Sequence, residues 1–84
     1  MLNIQYFASI REALDRDGEE LELPTGVTSV QGLIDHLLIA NPHFDAVFNE
    51  NKKTLVAVNQ TIVARSHPLA QDDEVAFFPP VTGG

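Results

Sequence analysis

EVAFFPPVTGG, residues 74–84, holds a strand, a stop and a tail in eleven positions. Glu74–Phe78 is rich in β-formers and reads as the last strand of a sheet. Pro79 and Pro80 end its pairing, because proline has no N–H to give to a ladder. Two successive prolines also favour a stiff, polyproline-like exit. The β-branched Val81 and Thr82 continue the extension. Gly83 and Gly84 then carry no side chains, so their backbone can enter a narrow channel or lie against a nucleotide. The stretch therefore predicts a folded domain over residues 1–80 and a flexible Gly-Gly tail over 81–84.

Working back along the chain, TLVAV at 54–58 and TIVA at 61–64 read as a hairpin turning at Asn59-Gln60. His67-Pro68-Leu69 through Asp72-Asp73 is a loop. At the other end, LNIQYF at 2–7 alternates, with Leu2, Ile4 and Tyr6 on one side and Asn3, Gln5 and Phe7 on the other. Ser9 is positioned to cap a short helix to about Leu14, with Glu12 completing a capping box. EELEL at 19–23 is a second strand, and Pro24, Thr25 and Gly26 break it. Thr28 or Ser29 starts the main helix. Val30, Leu33, Ile34, Leu37 and Leu38 repeat at the spacing of one buried face, and Asn41-Pro42 ends it. A further short helix is expected within 43–50, around Phe44, Val47 and Phe48. Strands framing one main helix predict an α+β domain with that helix laid across a mixed sheet of about five strands. The β-grasp fold has this order and size, with the first and last strands side by side in the sheet centre.

Bulk properties narrow the chemistry. The 84 residues allow one domain. The formal net charge of −7, from 12 acidic and 5 basic residues, argues against a nucleic-acid partner, which needs clustered Lys and Arg. It suits a partner with a basic face, or serves solubility alone. No apolar run reaches the length of a bilayer span. The start lacks the basic and long apolar regions of a signal peptide, so no membrane role and a cytoplasmic location are expected. With no cysteine, the chain has no thiolate for a metal site or a persulfide.

Side-chain chemistry is sparse. His36, His43 and His67 lack metal-ligand spacing, and no metal site is expected. Asp35-His36 reads as a solvated pair, Ser66-His67 is an adjacency and no triad, and Asp72-Asp73-Glu74 reads as a solvated loop. Lys52-Lys53 belongs to an exposed turn. What remains is the terminal carboxylate of Gly84, ionised at neutral pH with a reference pKa of roughly 3.3–3.7. An ionised carboxylate can attack the α-phosphate of ATP to form an acyl-adenylate, which a sulfur, oxygen or nitrogen nucleophile can open. The competing reading is an inert, disordered end, as termini often are.

AVNQTIVARSHPLAQDDEVAFFPPVTGG, residues 57–84, closely resembles the C-terminal third of the MoaD family, the small sulfur-carrying subunits of molybdopterin synthase. The signals are VNQT, HPL, DEVAFFPPV and the closing TGG, and YFASIREAL at 6–14 looks like the family's first strand and helix. Residues 15–53 match mainly in length and pattern. The resemblance implies a ubiquitin-like β-grasp fold and two successive partners. An E1-like (MoeB-like) adenylating enzyme would use ATP to make the Gly84 acyl-adenylate, and a sulfur donor would convert it to a thiocarboxylate. The chain itself would hold no cofactor. Pro80, Val81, Thr82 and Gly83 would insert into a MoaE-like large subunit, where sulfur passes to cyclic pyranopterin monophosphate. Two transfers would make the molybdopterin dithiolene, within a heterotetramer whose catalytic side chains lie mainly on the partner. Phe7, Ile62 and Phe78, which alternation allows to face outward, would form the patch that partners recognise; otherwise they are ordinary core. Arg11 would pair with partner carboxylates, or be a solvated helix charge. A thiamine or tRNA-thiolation carrier, a ubiquitin-like modifier joined through Gly84 to lysines, and a plain interaction domain are the other readings.

Overall fold

The computed structural model describes residues 1–49 and 53–80. Along them run β1 (Leu2–Tyr6), α1 (Ala8–Leu14), β2 (Gly18–Leu21), α2 (Val30–Ala40), a 3-10 turn (Pro42–Phe44), α3 (Asp45–Phe48), β3 (Leu55–Val58), β4 (Thr61–Val63) and β5 (Glu74–Phe78). The strands form one mixed sheet in the order β2-β1-β5-β3-β4. β1 and β5 are parallel, and the other neighbours are antiparallel. The expected β-grasp arrangement is present, with first and last strands adjacent in the interior of the sheet.

Alternation places the core. Leu2, Ile4 and Tyr6 of β1, Val75 and Phe77 of β5, and Val56 and Val58 of β3 are buried. Val30, Leu33, Ile34 and Leu37 of α2 share that cluster, and Leu38 packs at its margin. Ser29 is the N-cap of α2: its Oγ accepts from the Gly32 N–H at 3.2 Å, satisfying one otherwise unpaired donor of the first turn. At the tail-side end of the core, Tyr6 stacks on Phe77, and Phe48 meets Phe77 edge-on at 4.9 Å. The Tyr6 hydroxyl donates to Glu19 at 2.8 Å, and Arg16 donates to the same carboxylate oxygen at 3.0 Å. Burial first, and the Glu19 carboxylate second, push the Tyr6 phenol well above its ordinary value. It remains a neutral donor.

Three boundaries differ from expectation. Ser9 does not cap α1. The N-cap position is Phe7, with no side-chain cap, because the sheet ladder runs one residue past β1. The Phe7 N–H donates to Phe77 O at 3.1 Å, and the Phe7 carbonyl takes the amides of Ile10 and Arg11. The helix therefore starts before Ser9 can cap it. β2 begins at Gly18 and ends at Leu21, not at 19 and 23, since Leu21 already faces Leu2 near the start of β1. The helix expected within 43–50 is a 3-10 turn followed by α3, which bury Phe44, Val47 and Phe48; Glu50 lies outside the described residues. The Asn59-Gln60 turn is as expected, with φ of 50° and 70°, the left-handed pair that a two-residue hairpin needs.

The acidic loop is more structured than a solvated run. Asp73 accepts from the Ala70 N–H at 2.8 Å and from Asn59 Nδ2 at 3.0 Å. Asn59 in turn accepts from the Glu74 N–H at 3.0 Å. Asp72 faces the Met1 ammonium. These contacts tie the β3–β4 turn, the approach to β5 and the start of β1 together. The backbone bond from Ala70 first, and Asn59 second, hold the Asp73 carboxyl below its usual range. Leu69 of the same loop is buried, and its N–H reaches Thr28 O at 3.0 Å.

A Cβ on Gly18 would lie 2.4 Å from Ile4 O, so Gly18→Ala must shift backbone. It should cost about 1–3 kcal/mol, read as a lower urea midpoint; an unchanged midpoint would contradict the β1–β2 register. For Asp73 the sign is set by a folded-state pKa below the unfolded one. Its contribution is present at neutral pH and is lost as pH falls from the unfolded value through the folded one. Melting temperatures of Asp73→Asn and the parent should therefore converge in acid, with the parent higher at pH 7.

Candidate functional site

The sheet face opposite α2 is not covered by any helix among the described residues, and the registers order its side chains into rows. The parallel register that pairs Tyr6 with Phe77 sets Phe7 beside Phe78, and Phe78 faces Leu55. These three make the row nearest the end of β5. The next row is Gly18, Gln5, Ala76, Ala57 and Ile62. The third is Glu20, Asn3 and Glu74, continuing to Asn59 through the bond from its N–H to Glu74 O. The face thus grades along the strands from apolar, through small, to acidic.

The singled-out apolar residues lie outside the core. Phe7 is 43% exposed and Ile62 64% exposed; Phe78 is half-buried on the same face. None belongs to the core cluster. They share the face without forming one compact cluster: Phe7 and Phe78 are neighbours, whereas Ile62 is two strands from Phe78 and one row away. Ala57, Ala76 and Leu55 fill the interval. Those three were not legible beforehand, because TLVAV at 54–58 and VAFF at 75–78 are nearly all apolar and their alternation does not reveal which residues turn inward.

Arg11 projects from α1 beside this face. It is exposed, and its Nε lies 3.8 Å from Asp17 Oδ1. An exposed pair at that distance binds weakly and leaves the guanidinium available. The histidines are not gathered. His43 packs edge-on against Phe44 at 4.8 Å, and Asp35 accepts from Gln31 at 3.0 Å. Among the described residues no three His, Cys, Asp or Glu side chains are grouped as metal ligands would be, and no helix is long and apolar enough to cross a membrane.

Beyond β5, Pro79 is half-buried and Pro80 exposed. Both line a cleft of about 410 Å³ between α1 and α3, with Ile10 and Val47 on its walls. The prolines are therefore seated on the domain before the chain continues. Val81, Thr82, Gly83 and Gly84, the tail and its carboxylate, lie outside the described residues, as does Lys52; Lys53 is exposed.

Residues 4–84 match the model of the ThiS family. The chain is 43% identical over 86 aligned positions, covering 100% of both chains, to the molybdopterin synthase sulfur carrier subunit of Escherichia coli strain K12. It is 38% identical to the protein of the same name from Haemophilus influenzae, again over 100% of each. Among solved structures, SAMP1 from Haloferax volcanii superposes with a TM-score of 0.79 at 27% identity, covering 99% of this chain and 98% of that one.

Proposed function

This chain belongs to the ThiS family, and from that membership we propose that it is the sulfur-carrier subunit of a molybdopterin synthase. The observation that carries this reading is the end-to-end identity with relatives of that name. In this mechanism the domain presents and the tail reacts. The Gly84 carboxylate, ionised at neutral pH, attacks the α-phosphate of ATP held by an adenylating enzyme. A phosphoanhydride bond breaks, pyrophosphate leaves and the acyl-adenylate forms. A sulfur donor then displaces AMP, leaving a thiocarboxylate. Docked on the large subunit, the tail delivers that sulfur to cyclic pyranopterin monophosphate, and two such deliveries complete the dithiolene.

Each part of the chain has a task in this scheme. Pro79 and Pro80 set a stiff base, so fewer conformations are lost when Val81, Thr82 and Gly83 thread into the partner. Glycine at the end lets the backbone approach ATP without a side chain in the way. Phe7, Phe78 and Ile62 dock the apolar half of the sheet face against a partner, in a two-carrier, two-large-subunit assembly. Arg11 exchanges its weak contact with Asp17 for a partner carboxylate. ATP is bound by the activating partner, and the carrier contributes the nucleophile.

A second reading, a protein modifier joined through Gly84 to lysines, is favoured by the likeness to the small archaeal modifier protein 1 of Haloferax volcanii. Covalent adducts on target lysines in cells would distinguish it.

Intact-mass spectrometry after incubation with the adenylating enzyme, ATP and a sulfur donor tests the carrier reading. A gain equal to one sulfur less one oxygen on the C-terminal peptide is expected. Deleting Gly84 should abolish both that gain and molybdopterin formation while the fold is retained. Molybdopterin made normally by the deletion variant would sink the mechanism. Phe78→Ala should weaken binding to the large subunit by about tenfold or more with a small change in melting temperature. Phe77→Ala, in the core, should instead cost about 3–5 kcal/mol of stability.

A further inference from the structure

The sheet face holds a second feature next to the apolar row. Over β1 and β2 lies an open hollow of about 520 Å³, with Phe7 and Arg11 at one end and Glu20 and Asn3 at the other. Its floor is Gly18 and Gln5. Gly18 brings no side chain to that floor, and a Cβ there would collide with Ile4 O of the neighbouring strand. Beyond the hollow, Glu74 flanks Asn3 on the side opposite Glu20. Two strands apart, the backbones of the two glutamates are about 10 Å from each other. Among the described residues the ion pairs are Met1–Asp72, Arg11–Asp17 and Arg16–Glu19, so among them no cation is paired with Glu20 or Glu74.

We infer that this hollow is the polar half of the docking face and seats a long basic side chain of the partner protein. Its aliphatic stem lies over the Gly18 floor against Phe7, and its cationic head meets Glu20, with a second basic residue reaching Glu74. The occupant is thus a partner segment with an apolar ridge for Phe7 and Phe78, bordered by Lys or Arg. Three observations select it. The hollow is long enough for an extended stem, its far end is anionic and unpaired among the described residues, and it adjoins the exposed apolar row. The order of the rows also sets an orientation. Apolar contact falls at the tail end of the face and charge contact at the far end, so a partner cannot bind in reverse without burying carboxylates against its ridge. This inference rests on the sulfur-carrier reading, because it takes the large subunit as the partner.

The test uses the full chain and its cognate large subunit. Calorimetric titration of Glu20→Lys/Glu74→Lys should show affinity reduced by about tenfold at low salt, with the gap to the parent closing at high salt. Glu20→Gln/Glu74→Gln should show a smaller loss in the same direction, and it carries the test should the charge reversal misfold. Amide resonances of Gly18, Gln5 and Glu20 should shift on binding. If both double variants fold and bind as the parent does at either salt, the inference is overturned. Should Phe78→Ala alone weaken binding, the apolar docking row stands and the basic-anchor inference falls. Should the glutamate variants alone weaken it, the reverse holds. Failure of the parent to bind the large subunit overturns the carrier reading and this inference together.

Discussion

The parallel pairing of β1 with β5 is the constraint on which the rest of the molecule depends. It joins the two ends of the described chain, Asn3 to Glu74 and Tyr6 to Phe77, and so closes every intervening element into one unit. Strand period then sorts the two Phe-bearing ends. Tyr6 and Phe77 turn toward the helices and build the aromatic end of the core, while Phe7 and Phe78 turn to the open face. A register slip of one residue would exchange these sets, burying the outward row and exposing the core. The Phe7 N–H to Phe77 O bond extends the pairing past β1 and sets where α1 begins.

The same pairing brings the proposed working parts together. β5 ends at Phe78, the last outward aromatic, and Pro79 follows at once. The apolar row and the base of the tail are therefore adjacent by covalent connection, and no loop intervenes to blur their spacing. In the proposed docking, a partner that recognises the row meets the base of the tail at Pro79 and Pro80. The loop contacts among Asn59, Asp73 and Glu74 hold the opposite end of β5, so the strand is tied at its acidic end and leads at its other end to Pro79 and Pro80. In the proposed carrier, stability and chemistry are separated. The domain's buried aromatics supply the first, and the tail carboxylate would supply the second.

Much of this was legible in advance. The strict alternation of LNIQYF, the helical spacing from Val30 to Leu38, the Asn59-Gln60 turn and the proline stop each have one dominant local cause, and each appears where it was expected. Ser9 misled because capping chemistry is local whereas the start of α1 is set by the hydrogen bond from Phe7 to Phe77, far away in the sequence. The end of β2 misled for the same reason: EELEL alternates to residue 23, but a strand lasts only as long as its neighbour. Asp73 was read as solvated because its partners, Ala70 and Asn59, gather around it only once the hairpin and loop have folded.

Sequence alone therefore determined the element types, the single-domain size, the family and the residues available for chemistry, since these follow from periodicity, composition and motif. It also marked Phe7, Ile62 and Phe78 as able to face outward, because alternation divides a strand into two sides. Only the tertiary structure decided which side is covered, since that depends on where α2 packs. It alone placed Gly18, Gln5, Glu20 and Glu74 from three different strands on one face. Those neighbours are set by cross-strand register, and register is a long-range property that no local pattern encodes.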